Sequence, residues 1–565
     1  MYIDDQTYQR NSKTYRRVLL RNSYRENGKV KHKTIANLSQ CAPEEIEAFK
    51  HALKHKGGHP TLPQFSDFSS IKQGKSFGAV WCLAELAGRL GISRALGKNR
   101  EAALTMWMIL ATLIAQGSRL SAVRLAQSHA VAEVLGLDGF NEDDLYQAMD
   151  WLAANQGNIE RRLFAHRYGD LAPDLYLYDV TSSYLEGERN ELAEFGYNRD
   201  GKKGKKQIVI GLLTDGEGRP ISVEVFEGNA KDNLTVKDQI GKLSRRFGVT
   251  NVTVVGDRGM IKSAQIEALN DEQFHYITAI TRPQIEKMIR EDVLQLSLFD
   301  DHQLCEVSVE RDGGGTVRYI LRRNPVRAGQ IQAVRESKLS AWMRHVAKKN
   351  QYLREHPRAS VEKALNEIQT KARKLHLDAW TVIVPCERAI EIRIDSDKLH
   401  EISRLDGCYA LKTDIPAREV SKEIIHARYK DLAEVEWAFR TMKTTLLEMR
   451  GIFVRKAERT RAHVFIIMLS YLLAYELRRY WADIEMTIEE GIQELCLITS
   501  CIYSIGETAV QSIPQPGERA RALIDKLNIA LPEVMPVKDV KIEPRKKIKE
   551  TRRKKANAQY TLNQT

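Results

Sequence analysis

LYLYDVTSSY, residues 175–184, is the stretch on which the reading of the fold turns. Leu175 to Asp179 is a short apolar and aromatic run that stops at an acid. VTVVGD, residues 252–257, followed by RGM, repeats the pattern with β-branched residues and a second acid, Asp257. Continuous apolar runs of this length predict buried strands, each delivering its last residue to the edge where the sheet meets solvent. A third acid lies in ARYKDLAEVEWAFRTMK, residues 427–443. There Leu432, Val435, Phe439 and Met442 recur at three- and four-residue steps, which predicts one amphipathic helix. Tyr429, Glu436 and Lys443 stand seven apart, nearly two turns, and project along one stripe. Alone, that stripe reads as a solvated face with one ion pair. The two strand-end acids change the reading, because Asp179, Asp257 and Glu436 can converge on one point. Three carboxylates with no Cys or His partner make a hard oxygen site, suited to Mg²⁺ or Mn²⁺ rather than zinc.

With these residues in view, the chain resembles the DDE transposases of bacterial insertion sequences. It is most similar to the branch with a Tyr-Arg-Glu-Lys signature around the last acid. That signature runs Tyr, two residues, Arg, three residues, Glu, six residues, Lys, and Tyr429, Leu432, Glu436 and Lys443 occupy those places. Leu432 departs from the Arg of the wider pattern; this removes one expected phosphate contact and leaves the acid in register. FGYNRDGKKGKKQIVIGLLTD (195–215), FEGNAKD (226–232) and GIFVRKAERTRAHVF (451–465) also resemble this branch. The likeness therefore runs from about Leu175 to about Trp481.

The resemblance implies metal-dependent phosphodiester transfer. Asp179, Asp257 and Glu436 would be the catalytic acids and would hold two Mg²⁺ (or Mn²⁺) ions about 4 Å apart, which neutralise the attacking and leaving oxygens. The enzyme would bind terminal inverted repeats, cleave them and join the 3′ ends to target DNA. Two ends imply at least a homodimer in the active complex. Tyr429 and Lys443 would hold phosphates near the cut, with Arg258 and Arg440 as further DNA contacts. No covalent intermediate is needed, so Ser182, Ser183 and Tyr184 read as packing around the strand end. Two rivals remain: a metal-dependent nuclease without strand transfer, and a non-catalytic DNA-binding relative.

Composition points the same way. The 565 residues are too many for one core and imply two to four domains. Lys and Arg number 87 against 74 Asp and Glu, a net charge of +13, which favours a polyanionic partner such as DNA. The seven cysteines are scattered without a CxxC, as free thiols in a reducing compartment would be. MYIDDQTYQR lacks the apolar core of a signal peptide, and the most apolar run, Val464 to Tyr475, is too short to span a bilayer. The expectation is a bacterial cytoplasmic protein, nucleoid-associated when bound, with no membrane and no nucleotide cofactor. DGKKGKKQ lacks the GxxxxGK[ST] pattern of a phosphate loop.

The organisation expected along the chain is an α/β protein with an RNase H-like core. Residues 1–55 form a basic β-hairpin and helix, a candidate DNA-binding domain. The hairpin spans Tyr15 to Leu38 around an Asn27-Gly28 turn, with Arg16, Arg17, Arg21 and Arg25 on its arms. A linker follows at 56–75, with His51, His55 and His59 around it read as a solvated helix end. Residues 76–170 are a bundle of four or five helices, with Arg119, Arg124, Arg161 and Arg162 among them. The core's first part, 171–281, carries three antiparallel strands and then strands separated by helices. Its basic loop holds Lys202, Lys203, Lys205 and Lys206. An α/β insertion occupies 282–416. The core's second part and C-terminal helices fill 417–531, including a basic segment with Arg455, Lys456, Arg459, Arg461 and His463. The tail, 532–565, is basic and expected to be disordered.

Overall fold

The computed structural model describes residues 1–10, 13–26, 28–54, 70–187, 189–197, 199–310, 315–444, 446–449, 452–505 and 508–535. It forms two compact units, Met1–Gly74 with Ser500–Ser512, and Lys75–Thr499 with Ile513–Thr565.

In the first unit, β1 (Tyr2–Arg10), β2 (Lys13–Glu26) and β3 (Lys29–Asn37) make an antiparallel sheet in that order. The expected hairpin is β2–β3, closed by the pair Glu26↔Lys29 with Gly28 at φ 74; Asn27 lies outside the described residues. The extra strand, β1, has little apolar alternation. Charge holds it instead, with Asp4 on Arg21 at 2.9 Å and Asp5 on Arg16 at 2.7 Å. The helix α1 (Pro43–Lys54) covers a small core of Val18, Leu38 and Ile46. His55, His59 and the stretch 55–69 lie outside the described residues. Residues 70–76 form strand β4 (Ser70–Ser76).

The second unit begins with α2 (Gly78–Arg89), α3 (Ile92–Leu96), α4 (Arg100–Ile114), α5 (Arg119–Ser128), α6 (Val131–Leu135) and α7 (Glu142–Tyr168). The start signal at Asn141 is a capping box with Asp144. The count exceeds the expected four or five because α3 and α6 are five-residue turns, too short to show a period.

A large mixed sheet follows. Its strands are β5 (Leu175–Tyr184), β6 (Gln207–Asp215), β7 (Pro220–Phe226), and, after α8 (Asp232–Gly241), β8 (Thr253–Gly256). Next come α9 (Ser263–Asp271), β9 (His275–Ala279), α10 (Arg282–Arg290), β10 (Cys305–Glu310) and β11 (Thr316–Arg323). A lobe of α11 (Pro325–Glu355), α12 (Val361–Leu375), β12 (Thr381–Pro385), β13 (Ile390–Ile394) and α13 (Ser396–Ser403) packs around Trp342, Ile368 and Trp380. The chain then returns to the sheet as β14 (Cys408–Thr413). The order across the sheet is β10-β11-β14-β9-β8-β5-β6-β7. β5, β8 and β9 run parallel, and the other neighbours are antiparallel. The stretch read as an insertion thus divides, three of its strands widening the sheet and the rest forming the lobe.

Both faces of β5 are buried, which is why its sequence reads as a continuous apolar run. Leu175 and Leu177 join the core shared with the helices; Tyr176 and Tyr178 join the core under α8 and α9. The chain closes with α14 (Lys422–Lys430), α15 (Leu432–Lys443), α16 (Ala457–Tyr480), α17 (Ile488–Cys496), β15 (Thr499–Ile505), β16 (Thr508–Ser512) and α18 (Glu518–Leu527). β4, β15 and β16 form a small sheet. α16 is buried on almost every side, between α4, α7 and β7. Its Ser470 hydroxyl donates to the Ile109 carbonyl at 3.1 Å, and its Tyr475 hydroxyl to the Glu217 carbonyl at 2.9 Å. Among the described residues, no single helix is long and apolar enough to cross a membrane.

Candidate active site

Register brings two of the acids together. β5 and β8 pair in parallel from Leu175↔Thr253 to Tyr178↔Gly256. Asp179 and Asp257 follow those last partners, side by side at the carboxyl edge of the parallel strands, where open α/β sheets place their sites. Asp257 ends its strand as expected. Asp179 does not: β5 runs on because β6 pairs with it as far as Tyr184↔Gln207, so Asp179 sits in mid-strand opposite Leu212. The third acid arrives on α15, which packs against β5 and β6 through Val435, Ala438, Phe439 and Met442 and leaves Glu436 exposed.

Asp179 senses the other two acids. Burial pushes the half-buried Asp179 carboxyl up to about 7, with the charges of Asp257 and Glu436 adding to it and Val180 N–H and Arg199 opposing. Asp179 Oδ1 accepts from Val180 N–H at 2.7 Å, and Asp257 Oδ1 from Arg258 N–H at 2.7 Å and from the Tyr429 hydroxyl at 3.3 Å. Burial and the neighbouring Asp257 push the Tyr429 phenol up, so it remains a donor. On both aspartates these bonds leave Oδ2 without a hydrogen-bond partner among the described residues. A half-buried Asp179 beside Asp257 in register, each with one oxygen unused among the described residues, is a pair of donors that suits a hard divalent cation. Among the described residues, no three His, Cys, Asp or Glu side chains already stand close enough to hold one ion.

The expected single helix over 427–443 is two. α14 ends at Lys430 and α15 begins at Leu432, with Asp431 between them at φ −62, ψ −14. Glu434 N–H turns back to the Asp431 carbonyl at 2.9 Å, a tighter turn than the α-helix allows. Tyr429, which reaches Asp257, and Glu436 therefore stand on two successive helices, not on one straight stripe. Lys443 does not share Glu436's exposed face. Its side chain is 7% exposed and pairs at 3.0 Å with Asp200, itself 4% exposed. Leu432 is half-buried against the core.

Arg258, Arg440 and Lys203 are exposed. Lys205 is exposed and paired with Glu186 at 2.9 Å, and the Lys202 ammonium sits over the Tyr184 ring. In the other unit, Arg25 is exposed, while Arg16 is engaged bidentately by Asp5. Ser182 and Ser183 are wholly buried, in keeping with packing. Sequence reading missed Arg199. Its N–H donates to Ser182 Oγ at 3.0 Å and its guanidinium grips Asp232 at 2.6 and 2.7 Å, holding a cation near Asp179. The signal was Arg199 inside the stretch 195–215 and its partner Asp232 at the end of the stretch 226–232.

With this geometry in hand, the comparisons are direct. The family model described as "Transposase DDE domain" matches residues 171–473, more than half of the chain, and the chain belongs to that family. A second model, "IS1634 family transposase, N-terminal domain", matches residues 5–61. The protein is an insertion-sequence transposase, and its activity is of the polynucleotidyl-transferase type. No curated protein matches the chain. Among solved structures it is similar to the piggyBac transposase in a synaptic complex with hairpin DNA, at 10% identity and a TM-score of 0.34, over 82% of this chain and 76% of that one.

Proposed function

We propose that the protein binds the terminal inverted repeats of its own element, cuts them and joins the 3′ ends to target DNA by cut-and-paste transposition. Asp179, Asp257 and Glu436 are the catalytic acids and the ligands of two divalent ions, Mg²⁺ or Mn²⁺. The observation that carries this reading is geometric: register sets Asp179 and Asp257 side by side at the parallel strand edge, and Tyr429, just before the helix that carries Glu436, reaches Asp257. Residues 171–281 and 417–531 form an RNase H-like core around the stretch 282–416. Support comes from the strand order β7-β6-β5-β8-β9, with the first three antiparallel and β5, β8 and β9 parallel.

When bound, the ions supply charge neutralisation at the attacking and leaving oxygens. The chain's own groups prepare for that. Val180 and Arg258 N–H fix the inner oxygens of the two aspartates, Tyr429 orients Asp257, and exposed Arg258, Arg440 and Lys203 meet the phosphates. The basic sheet of residues 1–55, with Arg25 free to reach a backbone, contributes to end recognition. Two ends require at least two copies of the chain in the active complex, which works on DNA in the bacterial cytoplasm.

Asp179→Asn, Asp257→Asn and Glu436→Gln each keep size and hydrogen bonding while removing charge. Each is expected to abolish Mg²⁺-dependent nicking of end-containing DNA with duplex binding intact; near-parental nicking by any of them removes that acid from the mechanism. A nuclease without strand transfer would nick the ends and leave no joined target product.

A further inference from the structure

Outside the catalytic edge, one cation is held in an unusual setting. Arg119 is 9% exposed, yet among the described residues it has no carboxylate partner. Its one hydrogen bond goes from Nη2 to His463 Nδ1 at 3.3 Å. Burial, reinforced by Arg119, pushes His463 down to about 3, so the imidazole is a neutral acceptor and leaves the guanidinium charge uncompensated. A buried, unbalanced charge is costly, and proteins keep one where a counter-ion arrives from outside. Arg119 lines a cavity of about 320 Å³ together with Gln116, Ser118, Tyr146 and Phe453. Gly117 and Ser118 of the same wall form the N-terminus of α5, whose Ser118 hydroxyl takes the Ser121 N–H; the helix dipole therefore also points its positive end into the space. The other cation near the wall, Arg459 over the Tyr146 ring, is already neutralised by Asp150 at 2.7 Å. Glu448, the one carboxylate among the lining residues, is exposed.

We propose that this cavity is a phosphate-binding site, built by Arg119 and the α5 N-terminus, that takes a backbone phosphate of the bound DNA away from the cut. The inference rests on the reading of the chain as a DNA-cutting enzyme and adds a contact that its signature motifs do not contain. The position lies within reach of a duplex held at the acid edge. Ile452, next to the lining residues Phe453 and Val454, bridges to Leu185 at the downstream end of the strand that carries Asp179. Six strand residues span about 20 Å. That corresponds to about six nucleotides along one DNA strand.

The full-length protein and its Arg119→Met and Arg119→Lys variants test this. Inorganic phosphate is expected to raise the parent's melting temperature. The rise should be lost in Arg119→Met and kept in Arg119→Lys. On end-containing duplex, Arg119→Met should bind about tenfold more weakly at low salt. Its log–log salt slope should fall by about one. Neutralising a single phosphate about six nucleotides from the cut should weaken the parent and leave Arg119→Met unchanged. Loss of the phosphate response with unaltered duplex binding would mean that the site takes free phosphate, and would overturn the DNA assignment. No phosphate response in the parent and equal salt slopes would leave Arg119 as a structural residue. Normal nicking by Asp179→Asn would overturn the carboxylate mechanism without touching the Arg119 comparison, so the two readings fail separately.

Discussion

Lys443 and Asp200 illustrate what a single residue can hide. Spacing put Lys443 on the catalytic stripe and the family resemblance implied a phosphate contact for it; the partner it meets lies 243 residues away in the chain. No local pattern carries that pairing. Because both side chains are almost fully buried, Lys443→Ala strands a carboxylate in the interior and should cost about 3–5 kcal/mol of stability in denaturant unfolding. Pairing Lys443→Met with Asp200→Leu should recover most of that loss; a phosphate-contact role would instead leave stability unchanged and weaken DNA binding alone. Leu432 now has a reason as well, since an Arg there would face the core that the leucine packs against. Acid should also destabilise the fold at identifiable residues. His426 Nε2 shares a hydrogen bond with the Tyr409 hydroxyl at 2.6 Å, and burial, with help from Lys430 and Arg322, pushes it down to about 4. Its folded value lies below the unfolded 6.5, so the unfolded chain binds more protons and stability is lost as pH falls from 6.5 toward 4. The loss is about 1.4 kcal/mol per pH unit for such a group. His426→Gln keeps an acceptor for Tyr409 and should flatten that part of the stability–pH curve. His275, raised by its bond to Asp414, acts oppositely: its contribution is full below 6.5 and fades at higher pH.

At the scale of elements, the strands carrying the acids were readable because each is buried on both faces and so is written in unbroken apolar residues. What the sequence did not reveal is set by neighbours. β5 outruns its acid because β6 continues beside it, and β1 exists because its acids meet the arginines of β2. The break at Asp431 was hidden because the apolar spacing runs across it without a Gly or Pro. β10, β11 and β14 read as strands of an insertion, yet they extend the main sheet, since strand pattern alone does not name a partner. The site's sheet also contains a close contact that sequence could not declare. A Cβ on Gly211 in β6 would stand 2.2 Å from the hydroxyl of Tyr178, the residue before Asp179. Gly211→Ala should therefore cost about 1–3 kcal/mol by overpacking and lower nicking along with stability. Wild-type unfolding and activity in that variant would show that the ring simply turns aside.

For the molecule as a whole, the proposed reading divides DNA contact between the catalytic sheet and the basic N-terminal sheet. Deleting residues 1–54 should weaken binding to element ends and reduce its salt dependence, with the metal-dependent chemistry on pre-nicked DNA retained. Unchanged affinity and salt slope would make the N-terminal sheet a structural cap. The third acid and the buried helix α16 both come late in the chain, and α16 fills the space between the early helices and the sheet. On a ribosome, Glu436 emerges about 180 residues after Asp257, on the order of 10–40 s later. Until α16 follows, the early helices, though packed on one another, lack the helix that fills the space between them and the sheet. If Glu436 is the third acid, as proposed, a growing or prematurely released chain that stops short of it has no complete site with which to cut DNA.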